Sequence, residues 1–148
     1  MSAENVALVR SLHLDPSSDV AELISDDAAT ATLREAIGRA FDPDVECTMG
    51  FPGGMRVAYS GRGLDGLQSA WQDWLRQWVS FRTEVEDILD GGDRVVVLHR
   101  IEGRRRDDAP VETLRRATVW TVRDGLIVHV DLNLAPDDAL ATVELATD

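Results

Sequence analysis

Cysteine occurs once in this 148-residue chain, as Cys47. A single thiol excludes an intrachain disulfide and a cysteine-rich zinc site. Long hydrophobic runs are missing too, and nothing approaches the roughly 18 apolar residues that a membrane span needs. Positive charge is scarce: 15 basic residues face 27 acidic ones, a formal net charge of −12. Nucleic acid and anionic membrane both call for a basic face, so neither is an expected partner. The one basic cluster, Arg104-Arg105-Arg106 echoed by Arg115-Arg116, has Asp107, Asp108 and Glu112 among it. It reads as a self-neutralising, solvated hairpin tip. The opening MSAENVALVR lacks the basic, apolar, small-residue order of a signal peptide, so the expected location is cytoplasmic. There is no internal repeat and no low-complexity segment. No cofactor is expected, because the only glycine-flanked candidate, GLDGL, is too short and wrongly placed for a phosphate loop.

What is present is ordinary for a soluble globular domain: 44% hydrophobic and 28% charged residues, in one domain long enough to bury a core. Val6, Val9 and Leu12 predict a first helix over 3–12, with Ser2 as a candidate cap. After the break Asp15-Pro16-Ser17-Ser18, Asp19 can cap a short helix through Leu23 and Ile24. Asp26 or Asp27 opens an Ala-rich helix that Asp42-Pro43-Asp44 stops. Val45–Met49 reads as a strand, 50–54 as a loop, Arg56–Ser60 as a short strand and Gly61-Arg62-Gly63 as a turn. LDGLQSAWQDWLRQW carries Leu64, Leu67, Trp71, Trp74, Leu75 and Trp78 on one helical stripe.

From Val79 the pattern is β. Val79, Phe81, Thr83 and Val85 alternate with polar residues, and Asp90-Gly91-Gly92-Asp93 turns into RVVVLHRIEGR, apolar enough to be buried on much of both faces. A loop at 107–110 leads to a strand over 111–122, and Arg123-Asp124-Gly125 turns into Leu126–Leu134. Pro136 can start a last helix, with Asp137 and Asp138 in its first turn. Helices first, then consecutive strands, is the order of an α+β domain with helices on one face of a curved antiparallel sheet. Such a sheet can cup a pocket under its helices.

Several of these segments carry a family resemblance: FDPDVE at 41–46, YSGRGLDGL at 59–67, the Trp-bearing helix, DILDGGDRVVVL at 87–98 and VWTVRDGLIVHVDLNL at 119–134. In them the chain resembles the SnoaL-like members of the nuclear transport factor 2-like superfamily over residues 33–145, with 1–32 a variable helical part. The resemblance implies a cone-shaped fold, a pocket at its wide end, and homodimers formed through the sheet. It also implies ketosteroid isomerisation, polyketide cyclisation or epoxide hydrolysis as possible chemistries, each using acids and bases in an apolar pocket.

Those chemistries map unevenly. The isomerase base, in a motif resembling V-E-D, falls on Cys47, and the isomerase oxyanion-hole acid falls near Thr118. An epoxide-hydrolase R-x-D motif resembles Arg100-Ile101-Glu102, making Arg100 the polarising and Glu102 the acid–base candidate. Its water-positioning residues correspond to Cys47 and Met49. The cyclase motif, resembling H-W-D, is approached by His129-Val130-Asp131, one residue early from the turn glycine. On a strand that slip turns a side chain to the other face. Val128, Val130, Leu132 and Leu134 are thus expected toward the pocket, and His129, Asp131 and Asn133 outward, where a two-fold contact could use them. A β-bulge after Gly125 could restore the cyclase parity. Three convergent ligands are needed for zinc, so His129, Asp131 and a distant His99 make no expected metal site. His13 is expected at the surface.

The candidate pocket wall is Cys47, Met49, Tyr59, Trp71, Leu98, Thr118, Trp120, Val130 and Leu132, with Trp74 and Trp78 in the core. Cys47 is expected as a small buried hydrophobe. Two functions follow. One is a module that binds an apolar small molecule without chemistry. The other is an acid–base enzyme of cyclase, isomerase or epoxide-hydrolase type, with Arg100, Glu102 and Asp131 as its catalytic set.

Overall fold

The computed structural model describes residues 2–13, 17–51, 55–59 and 63–147, and at residues 2 and 143–147 the backbone alone. The candidate cap at Ser2, the first half of the break at 15–18, residues 52–54 of the loop, the end of the strand at 60 and positions 61–62 of the turn therefore lie outside the described side chains. Helices α1 (Ser2–Ser11), α2 (Val20–Ser25) and α3 (Asp27–Ile37) lead the chain. Asp19 caps α2 by accepting from the Ala21 and Glu22 amides, and Asp26 caps α3 by accepting from Ala29. Each cap satisfies backbone donors that a helix start leaves open. The Asp19 carboxylate also accepts from the Phe81 amide at 3.0 Å, tying the helices to the sheet.

A 3-10 turn (Gly38–Ala40) opens into β1 (Phe41–Gly50), followed by β2 (Arg56–Tyr59) and α4 (Asp65–Leu75). Four more strands follow, β3 (Ser80–Gly91), β4 (Arg94–Arg104), β5 (Glu112–Arg123) and β6 (Leu126–Leu134), then α5 (Pro136–Thr147). They form one curved, unclosed sheet in the order β2-β1-β6-β5-β4-β3. Every pairing is antiparallel except β1–β6, which is parallel. The α+β reading of the sequence holds. No helix among the described residues is long and apolar enough to cross a membrane.

Strand alternation sorts the side chains. Inward lie Met49, Phe81, Val95, Val97, Ile101, Trp120, Val130 and Leu132, in one large core with Trp74 and Trp78. Outward, Val96, Ala117, Val119 and Leu134 form a smaller cluster under Ala139 of α5. Trp78 sits just past α4 and packs so closely on Gly103 that a Cβ there would meet its ring at 2.6 Å. Val79, expected inward, is exposed, because the chain is still turning into β3 there.

Two irregularities change β6 from a plain alternation. The register passes from Thr121↔His129 to Val122↔Ile127, so Val128 is bulged and Ile127 takes the inward place expected of it. The bulge precedes His129 and leaves Val130 and Leu132 inward. Asn133 then adopts φ 58, a left-handed conformation that asparagine tolerates better than most residues. This single residue reverses the parity beyond it. Asn133 is buried on the inner side instead of joining His129 and Asp131 outside, and Leu134 turns to the outer cluster.

Candidate functional site

Between helices α1–α4 and the inner face of the sheet lies a cavity of about 150 Å³. Its walls are mainly apolar, with Leu33, Ile37, Leu67, Trp71, Trp74 and Trp120 among them. This is the volume at which an engineered apolar cavity holds a benzene-sized ring. Because α2 and α3 fold back over the sheet, they supply Val20, Leu23, Ile24 and Thr30 as a roof.

The polar groups on the walls are few. His99 on β4 is buried, and its Nδ1 lies 3.0 Å from the Thr83 hydroxyl on β3. Burial, reinforced by the nearby His13, pushes its imidazole down to about 3, so it stays neutral at physiological pH. His13, at the end of α1, donates from Nδ1 to the Val9 carbonyl at 2.8 Å. Burial lowers its pKa as well, partly opposed by that hydrogen bond. The two rings lie 5.4 Å apart between centroids, and His13 meets Trp120 edge-on at 5.9 Å. His13 is therefore a wall residue, not a surface one: helix α1 ends over the sheet, which its own short apolar pattern does not reveal.

Arg116 also lines the cavity. Its neighbours in the basic cluster behave as a solvated tip does: Arg105 pairs with Glu112 at 2.7 Å, Arg106 with Asp108 at 3.6 Å and Arg115 with Glu86 at 3.1 Å. Arg116, one position on from Arg115, faces the other way, as alternation requires. Its Nε donates to Asn133 Oδ1 at 3.2 Å and its Nη2 to the Asn133 carbonyl at 3.1 Å. Arg34, on the helical wall, donates to Gln68 at 2.5 Å and is bridged to Asp65 at 2.7 Å. Among the described residues, no carboxylate lines the cavity.

The sequence candidates fall as follows. Met49, Trp71, Thr118, Trp120 and Leu132 line the cavity, as does Trp74. Cys47 and Val130 are buried in the inner core without reaching its wall. Burial, with the Asp131 charge beyond it, pushes the Cys47 thiol up to about 12, so it carries no thiolate. Tyr59 is half-buried and donates to Asp73 at 2.8 Å. Leu98 packs against the outer cluster, because in β4 it alternates with His99. Arg100 and Glu102 share that outward parity and bridge each other at 3.0 Å, both substantially exposed. His129 and Asp131 face outward in a closed set. His129 Nε2 lies 2.9 Å from Asp131 Oδ1 and its Nδ1 lies 3.6 Å from Glu46. The Thr48 hydroxyl also donates to Asp131. His99 and this pair thus lie on opposite faces of the sheet, and no metal-binding group of three occurs among the described residues.

Comparison with known proteins bears on the same fold. A model of the SnoaL-like domain matches residues 20–130, most of the chain. The chain belongs to the SnoaL-like family. Solved structures extend the match to nearly the whole length. A protein described as a SnoaL-like polyketide cyclase, from Jannaschia sp. CCS1, superposes with a TM-score of 0.63 at 17% identity, covering 96% of this chain and 92% of that one. TerC, crystallised with polyporic acid, gives 0.61 at 19% identity over 98% and 99%. An NTF2-like protein of unknown function from Burkholderia pseudomallei K96243 gives 0.62 at 19% identity over 98% of both chains. At such identities the likeness is one of fold. Among curated proteins, none matches the sequence significantly. Sequence reasoning missed Arg116, His13 and His99 as wall residues of this SnoaL-like domain. For Arg116 and His99 a signal existed, since both share the strand parity of Thr118 and Ile101.

Proposed function

We propose that this SnoaL-like domain binds an apolar small molecule in the cavity between helices and sheet and performs no acid–base chemistry on it. The observation that carries this reading is the composition of the wall: a mainly apolar cavity whose described residues include no carboxylate and whose imidazoles are pushed by burial toward the neutral form. A few convergent polar groups in an apolar concavity are what a small-molecule site requires. Small-molecule names among the structural neighbours, a polyketide cyclase and a protein crystallised with polyporic acid, agree with the ligand class.

A catalytic reading has one specific support, the His99–Thr83 hydrogen bond on the wall. An imidazole with a pKa of about 3 is a weak base at neutral pH, short of the ideal by several units at about 1.4 kcal/mol each. Binding is therefore the better supported of the two. Titration with para-ethylbenzamide, a neutral one-ring probe, tests it through the fluorescence of the wall tryptophans. The expected result is a saturable change that Leu33→Trp, which fills the cavity, weakens by roughly tenfold or more, a loss of at least about 1.4 kcal/mol. No saturable change up to the solubility limit would count against the reading.

A further inference from the structure

We propose that Arg116 makes the cavity selective for apolar acids, ligands whose ring or chain fills the apolar walls while a carboxylate, or an equally acidic hydroxyl, pairs with the guanidinium. This inference rests on the small-molecule reading above and names the ligand class.

Arg116 is half-buried, and a charge partly withdrawn from water gains from a charged, hydrogen-bonded partner. Arg116 lines the cavity, yet both of its acceptors are neutral, the side-chain and main-chain oxygens of Asn133. A guanidinium carries five N–H donors, so three remain after those two bonds. No ion pair involves Arg116 among the described residues, and no carboxylate lines the cavity there. The contrast with the other wall arginine is direct. Both side chains belong to half-buried residues, but Arg34 already has Asp65 at 2.7 Å to answer its charge, and Arg116 has no carboxylate among the described residues. In a chain with 27 acidic residues and a net charge of −12, an inward cation without an acid is a selective feature of the wall.

The surroundings hold that cation ready. Asn133 donates from Nδ2 to the Gly50 carbonyl at 2.8 Å, and its left-handed backbone presents both oxygens to Arg116. Gly50 is packed so tightly that a Cβ there would stand 2.5 Å from the Asn133 carbonyl oxygen. A strained residue locked by its neighbours is a reasonable marker of function when it positions a reactive group. Directly across the ladder from Arg116 stands His99, neutral and therefore no competing charge. Thr118 follows two residues on along the same face. An anion entering this site meets fixed donors among mainly apolar walls and only partly in water, which strengthens the pairing over that of an exposed arginine. The cost of desolvating the anion moderates the gain.

Calorimetric titration of the full chain at neutral pH with para-ethylbenzoate and para-ethylbenzamide tests the proposal, since the two differ chiefly in charge. The acid is expected to bind roughly tenfold tighter, the scale of a charge-assisted over a neutral hydrogen bond. Arg116→Met should bring the acid down to the level of the amide and move the amide less than about twofold. An amide that binds as tightly as the acid overturns the inference and leaves the binding reading standing. So does an acid preference that survives Arg116→Met. Binding of neither probe removes the small-molecule reading, and this inference with it. Should Arg116→Met fail to fold, the acid–amide comparison on the unaltered chain still decides.

Discussion

The two faces of the sheet treat histidine in opposite ways. On the outer face, His129 sits within a set that answers itself: Asp131 at 2.9 Å, Glu46 at 3.6 Å, and Thr48 donating to the same Asp131. The parallel register of β1 and β6 sets Glu46 beside His129 and Thr48 beside Asp131, so the network is a product of strand pairing. On the inner side, His99 and Arg116 on the sheet and His13 at the end of α1 lie near one another among mainly apolar walls, each with a neutral hydrogen-bond partner. A histidine and an acid two apart in sequence look like chemistry, yet here they form a closed, partly wet network. The groups with unused capacity are those on the inner side that have no carboxylate partner among the described residues.

The largest effect that sharpens this contrast is at Gly50. A Cβ at this position meets backbone atoms, Asn133 O at 2.5 Å and Asn133 C at 3.3 Å, which cannot rotate away. Gly50→Ala is expected to cost about 3 kcal/mol, the upper end of overpacking, read from the urea midpoint. Thr48→Val, two residues earlier on the outer face, removes one hydrogen bond of a network that keeps its other members. It should cost no more than about 1 kcal/mol. Equal losses would mean that the Asn133 lock is no tighter than the outer row.

A second difference appears in acid. His99 is depressed to about 3 when folded and returns to about 6.5 when unfolded. Below 6.5 the unfolded chain binds the proton and the folded chain does not, so stability falls as the pH drops from 6.5 toward 3. At a pH of about 5 the loss from His99 is about 2 kcal/mol relative to neutrality, with His13 acting in the same direction. Urea unfolding at the two pH values should show this loss, and His99→Gln should remove most of it. An unchanged slope in His99→Gln would mean that another group carries the acid sensitivity.

Much of this was legible in the sequence, for reasons that differ along β6. Asp124 and Gly125 both have positive φ, as a tight hairpin demands, and Arg123-Asp124-Gly125 announced that turn. Alternation then put Val130 and Leu132 inside. It did not reveal the bulge at Val128 or the left-handed Asn133, because each is a one-residue break that no hydrophobic period records. Arg116 was hidden by company. Arg115 beside it and Arg104–Arg106 across the hairpin made it look solvated, and the ladder alone separates their faces. His13 needed knowledge of where α1 ends relative to β4, a tertiary relation that local pattern does not carry.

The smallest effect on folding, and the test of the outer row, is at Asp131. Helix α5 already covers the other part of the outer face through Ala139, Val96, Val119 and Leu134, and Arg94 donates to the Thr142 carbonyl at 3.3 Å. A second copy seated on this face would therefore use the strip of β1 and β6 that bears Glu46, Thr48, His129 and Asp131. Asp131→Ala breaks a partly exposed pair worth about 1 kcal/mol or less, so the chain should stay folded. If copies meet through this row, the dissociation constant in sedimentation equilibrium should rise about tenfold, the equivalent of about 1.4 kcal/mol. An unchanged equilibrium assigns the row to solvent and leaves the comparison of the faces as one between a polar network and a mainly apolar cavity.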